Sequence, residues 1–102
     1  MKRLISAICV LFFLLPLSAQ ETYQKETFIS SRGDTLQYRL LQPENMKKSE
    51  KYPLVLFLHG AGERGNDNER QLTHGGQMFL NPVNREKYPA FVLAPQLSLI
   101  HI

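Results

Sequence analysis

The residues with the strongest claim on chemistry are His59-Gly60-Ala61-Gly62-Glu63-Arg64-Gly65. They follow directly on the apolar run Leu54-Val55-Leu56-Phe57-Leu58, so a buried strand passes at once into a His-Gly turn and a glycine-rich loop. With only small residues at positions 60 to 62, backbone amides can be left pointing into a cleft, where they attract negative charge. Metal chemistry has little support. His59 and Glu63 could approach each other across a turn, but neither HExxH nor any paired ligand spacing accompanies them, so no metal is expected. Glu63 and Arg64 read as solvated charges on the cleft rim in preference to an ion pair shaping it.

The elements that must position this loop are legible on both sides of it. Glu26 to Ser31 and Thr35 to Gln42 read as two strands around the turn Ser31-Arg32-Gly33-Asp34. In the second, Leu36, Tyr38 and Leu40 alternate with Gln37 and Arg39, as in a half-exposed antiparallel strand whose polar residues face out. Pro43 to Lys51 is polar and charged and reads as a surface loop. Leu54 to Leu58 then suits a parallel strand covered on both faces, with Pro53 at its first position, where a missing N–H is tolerated. Tyr88-Pro89 leads into a second such strand, Ala90 to Pro95. Between them Asn68 could cap a weak helix with Glu69 in its first turn and Leu72, Phe79 and Leu80 facing the sheet. Gly75-Gly76 weakens any continuous helix, and Asn81-Pro82 ends it. The fold class expected is α/β, an antiparallel hairpin leading into the first parallel strands of a sheet, with a right-handed crossover.

At 102 residues the chain allows one small domain at most, and its first residues belong to none. Lys2 and Arg3 precede an apolar stretch from Leu4 to Leu15, and Pro16-Leu17-Ser18-Ala19 supplies a helix breaker and a small residue for cleavage. Residues 1–19 are therefore expected to be a secretory signal peptide, cut after Ala19, with a secreted or periplasmic product. The apolar run is short for a bilayer span, so no stable membrane association is expected after cleavage. The single cysteine, Cys9, lies inside the leader, which leaves no disulfide. Loss of Lys2 and Arg3 also takes the formal net charge from +3 to +1, and no basic patch points to nucleic acid.

The string HGAGERGND, with Tyr52-Pro53 and the apolar strand before it and Phe91-Val92-Leu93-Ala94-Pro95-Gln96 after it, resembles the opening of secreted α/β-hydrolases. The resemblance runs from about Glu26 to Gln96 and is to carboxylesterases of the polyhydroxybutyrate-depolymerase, feruloyl-esterase and dienelactone-hydrolase-like group. It implies a serine esterase without cofactor, acting on a small-molecule or polysaccharide-linked carboxylic ester such as a feruloyl or acetyl ester or a polyester. In such enzymes two backbone N–H groups stabilise the tetrahedral oxyanion, one from this loop and one after the nucleophile. Carried over, the loop donor would be Ala61, helped by Gly62, with His59, Gly60, Glu63, Arg64 and Gly65 shaping the loop. A larger side chain there would crowd the acyl group.

The rest of that machinery is not in the chain. No serine stands in a G-x-S-x-G elbow, and the triad order of serine, acid, histidine puts His59 and His74 too early to be the base. His59 is read as orienting the loop by hydrogen bonding and His74 as an ordinary helix or loop residue. Leu97-Ser98-Leu99-Ile100-His101-Ile102 departs from the family pattern and resembles a translated sequencing adapter. Hence residues 20–96 are expected to be the N-terminal part of an α/β-hydrolase domain, and residues 97–102 a non-native tail. Such a piece is expected neither to fold stably nor to hydrolyse esters, and a cooperative thermal transition would count against that. Three other readings remain in view. One is a prolyl-oligopeptidase-type serine peptidase, which shares the early strands. Another is an exported binding module without chemistry. The third is a dinucleotide-binding turn, since Gly60 to Gly65 spells G-x-G-x-x-G. Against the third, Asn66-Asp67-Asn68-Glu69 follows where a helix should open, and Pro95-Gln96 replaces the expected acidic residue.

Overall fold

The computed structural model describes residues 22–101, so the expected leader lies outside the described residues. Its strands are β1 (Gln24–Ile29), β2 (Thr35–Leu41), β3 (Leu54–Leu56) and β4 (Phe91–Gln96), in the spatial order β1-β2-β4-β3. The hairpin forms as the turn residues suggest, shifted by two residues on its first strand. Ser30 closes it: its carbonyl accepts from Gly33 N–H at 3.0 Å, and its hydroxyl accepts from Asp34 N–H at 3.1 Å. Gly33 has φ +86°, which explains a glycine there. β2 then pairs antiparallel with β4, and β4 pairs parallel with β3, with Val55 opposite Val92. The expected mixture of a hairpin and a parallel pair is present.

The crossover from β3 to β4 is broken, not one helix. It holds a 3-10 turn at Ala61–Glu63, another at Arg70–Leu72, and two short helices, α1 (Gly76–Leu80) and α2 (Pro82–Lys87). Asn68 caps nothing. It sits in the left-handed region at φ +54°, and Asp67 Oδ1 instead accepts from the amides of Glu69 and Arg70 at 3.0 and 3.1 Å. Asn81-Pro82 ends α1 and also starts α2, because Asn81 Oδ1 accepts from Val83 and Asn84 N–H and proline suits a first helical position.

One face of the sheet carries the core. Tyr23, Leu41, Leu72, Val92 and Ala94 are buried, with Val55, Phe57, Phe79 and Leu80 packed around them. The Phe57 and Phe79 rings meet edge to face at 5.8 Å. Tyr23 closes the edge of this core by donating to Gly76 O at 2.9 Å; burial pushes its phenol up to about 12, against the opposing charge of Arg85. Gly75 is required where it is. Its φ is +99°, and a Cβ would stand 3.0 Å from the Phe57 ring. Gly75→Ala is expected to destabilise the intact polypeptide by roughly 1–3 kcal/mol, read as a lower denaturation midpoint.

Two expectations about the sheet are corrected. β2 buries Arg39 and Leu41, at 3 % and 2 % exposure, while Leu36, Tyr38 and Leu40 are only partly covered. The alternation holds but its sense is inverted, because β2 shares its core face with Val92, Ala94 and Gln96 of β4. β3 is covered on one face only: Leu54, Leu56 and Leu58 remain 63 %, 58 % and 66 % exposed. With Phe28 and the half-covered Leu36, Leu40 and Leu93 they share a sheet face that nothing among the described residues overlies.

Candidate active-site loop

The loop leaves β3 at the carboxyl end of the parallel pair, where open α/β sheets place their chemistry. Phe57 N–H still bonds Leu93 O at 2.9 Å, after which the ladder stops and the chain turns away. His59 fixes the turn through both ring nitrogens. Leu97 N–H points at Nε2, 2.9 Å away, so Nε2 must accept; Nδ1 then carries the proton and donates to Gly60 O at 2.6 Å. A ring held this way is neutral and fully engaged, which suits orientation and leaves no nitrogen for a general base.

Gly60 is extended (φ −81°, ψ 174°) and precedes the 3-10 turn Ala61–Glu63, closed by Glu63 N–H to Gly60 O at 3.2 Å. Ala61 and Gly62, whose amides the resemblance implies as donors, are exposed residues, and those amides have no hydrogen bond within the described residues. The Glu63 side chain folds back under the turn, so a Cβ on Gly60 would lie 2.9 Å from Oε2, and its Oε1 sits 3.3 Å from His74 Nε2. Glu63 thus pairs with His74 and not with Arg64, which is exposed. Gly65 donates to Leu97 O at 3.0 Å and opens no helix. This geometry lacks the helix N-terminus that a dinucleotide pyrophosphate requires after G-x-G-x-x-G.

Behind the loop lies a polar layer that the sequence did not announce. Gln96 Nε2 donates to Glu63 O at 3.1 Å and to Asp67 Oδ1 at 2.9 Å, and its Oε1 accepts from Asn68 N–H at 2.7 Å. Asn68 Nδ2 donates to Tyr38 O at 3.1 Å, and Arg39 donates to Asn68 O at 2.6 Å and Tyr23 O at 2.7 Å. Asparagine tolerates the left-handed backbone that this arrangement demands at position 68. Burial alone would raise the Asp67 carboxyl, but hydrogen bonds from Gln96 and the Glu69 and Arg70 amides, with the Arg70 charge, hold it at about 2. Because the folded value lies below the ordinary one, this anchoring is complete above about pH 4 and fades as pH falls toward 2. Asp67→Asn is expected to abolish that acid dependence of amide protection at Glu69 and Arg70, measured by hydrogen exchange across that range.

Two other features stand apart from the loop. A cavity of about 670 Å³ lined by Leu41, Tyr52, Val55, Phe79, Tyr88 and Val92 lies where β3 and β4 begin, at the opposite end of the strands. Ser98 Oγ lies 3.1 Å from His101 Nδ1, but that nitrogen also accepts Ser98 N–H at 2.9 Å, and the serine is 4 % exposed. The pair closes its own turn, and His101 Nε2 reaches Thr35 O at 2.8 Å. No cluster of three potential metal ligands occurs among the described residues, and no helix there is long and apolar enough to cross a membrane.

No family model matches the chain, and no curated protein matches it. Among solved structures it is similar to one described as a thermostable esterase, at 41 % identity and a TM-score of 0.71. The match covers 76 % of this chain and 22 % of that one, so the chain spans less than a quarter of the esterase's length. The class defined by sheet, loop and likeness is an esterase-like fold, present here as a partial α/β sheet.

Proposed function

We propose that this chain is the N-terminal part of an exported serine esterase that hydrolyses a carboxylic ester through an acyl-enzyme. The likeness to a thermostable esterase carries this reading. Supporting it are the bare apolar sheet face and the outer edge of β3, which has no partner strand among the described residues. Both call for further strands and helices. In the proposed reaction a serine hydroxyl from beyond this segment adds to the ester carbonyl as its proton passes to a histidine. The carbonyl oxygen becomes an oxyanion facing the N–H groups of Ala61 and Gly62. Collapse expels the alcohol, which takes up the proton, and water then releases the acid by the same route. His59, already engaged twice, holds the loop and moves no proton. The ester lies in the feruloyl, acetyl, polyester or small carboxylic ester class, and residues 1–19 direct export.

The test begins with the source DNA, amplified across codon 96. The expected frame runs past Gln96 into a G-x-S-x-G, then an acid and a histidine. Its product should hydrolyse p-nitrophenyl acetate, be labelled by a fluorophosphonate on that serine, and begin at Gln20 after export. Genomic DNA that encodes LSLIHI and a stop would sink the proposal, since no nucleophile would then exist.

A further inference from the structure

We propose that Gln96 is the positioning residue of the oxyanion loop, clamping both arms of Glu63–Asn68 so that Ala61 and Gly62 present their amides from one fixed place. The inference rests on the esterase reading and adds a residue at the end of β4 to which that reading gives no role.

Gln96 is the last residue of β4 and is 1 % exposed. Its single side chain makes three hydrogen bonds to the loop, donating to Glu63 O and Asp67 Oδ1 and accepting from Asn68 N–H. Glu63 ends the turn that begins with Ala61, so a bond to its carbonyl acts on the donors themselves. Gly65 wraps the amide closely: a Cβ there would stand 3.4 Å from Gln96 Nε2 on a backbone at φ +155°. The next residue, the first of the expected non-native tail, adds contacts through its backbone alone, with Leu97 N–H on His59 and Leu97 O on Gly65 N–H. Only a primary amide of this length satisfies the pattern, because two donors and one acceptor must meet three fixed groups. Methionine cannot donate and accepts only weakly, and an ionised glutamate cannot donate. A group anchored on a strand holds a loop more rigidly than the loop can hold itself.

The test uses the intact polypeptide carrying Gln96→Met and Gln96→Glu. In Gln96→Met, exchange of the hydrogen-bonded amides of Glu63 and Gly65 should accelerate by about tenfold or more while that of Val92 and Leu93 stays unchanged. Turnover of p-nitrophenyl acetate should fall by about 10²-fold, with KM within about twofold. Gln96→Glu adds a readout that mere packing would not move. The Asp67 carboxylate and the Glu63 backbone carbonyl face the new carboxyl from the loop, opposed by Arg70 beside Asp67 and Arg39 beside Asn68 O, while the Glu63 carboxylate is turned toward His74. Asp67 is nearest and raises the new group's pKa. Once protonated, the glutamate donates to Asp67 and accepts from Asn68, so its kcat relative to wild type should rise as pH is lowered. Unchanged exchange in Gln96→Met, acceleration spread over the whole sheet, or an effect on KM alone would each overturn the proposal. If Gln96→Met does not fold, a flat Gln96→Glu to wild-type ratio across pH overturns it equally. Local exchange as expected in a wild type that hydrolyses no ester leaves the clamp standing and removes the esterase reading instead.

Discussion

Replacing Arg39 with alanine is expected to destabilise the fold by roughly 3–5 kcal/mol, because the guanidinium bonds the backbone carbonyls of two buried residues. Its Nε and Nη1 hold Asn68 O and Tyr23 O, and Nη2 lies 3.9 Å from Glu69, which Lys25 also meets at 3.2 Å. Burial pushes the guanidinium below its ordinary value, and the Glu69 and Asp67 carboxylates oppose that shift. Arg39→Met keeps the aliphatic stem and should lose less, yet each orphaned carbonyl still costs about 1–3 kcal/mol. Arg39→Lys should fall between methionine and wild type, since one ammonium lacks the planar fork that serves both acceptors. Urea denaturation of the series in the intact polypeptide gives the order. An effect within about 0.5 kcal/mol for alanine would restore the picture of a solvent-facing arginine on β2.

That picture is what the alternation of β2 alone supports, and its failure marks what was legible. Period two in Leu36, Tyr38 and Leu40 was real, and so were the hairpin, its glycine turn, the two apolar parallel strands and the loop after the first. Alternation says that two faces differ; it does not say which face the crossover covers. Here the covered face carries Arg39 and Gln96 because both bond the Asn68 backbone, Arg39 also Tyr23 O and Gln96 also Glu63 O and Asp67, and buried polar groups with partners cost far less than unpaired ones. No spacing rule links positions 39, 68 and 96, so this layer was invisible before the strands were paired. The helix cap failed for a related reason. Asn68 and Asp67 both have capping side chains, and the demand for a left-handed residue in the buried layer took Asn68 and left Asp67 to the turn.

The same pairing explains why the loop can be held while one sheet face is bare among the described residues. Contacts that fix His59 to Asn68 come from the core face and the carboxyl end of β4. The uncovered leucines of β3 project to the other side. Packing that covers them would add stability to the sheet and, through β4, stiffness to the clamp, without new contact to the loop.

Ala61→Pro is the sharpest probe of the chemistry, and in the intact polypeptide it is expected to lower kcat by about 10²–10³-fold with the fold preserved. Proline deletes one N–H and usually disturbs the backbone as well. Here it should not, because Gly60 is already extended, as a residue before proline must be, and Ala61 opens a 3-10 turn with an N–H that bonds nothing within the described residues. The thermal midpoint should therefore hold while turnover falls, with KM moving little, since the lost bond is made to charge that develops only in the transition state. Ala61→Ser keeps the N–H and separates crowding from donation: near wild-type kcat assigns the proline effect to the amide. Unchanged turnover in Ala61→Pro would remove Ala61 from the oxyanion site and shift the loop's contribution to Gly62. The unbonded amide does not decide this by itself, for the first N–H groups of any helical turn lack partners. Only the loss of rate on removing that one hydrogen does.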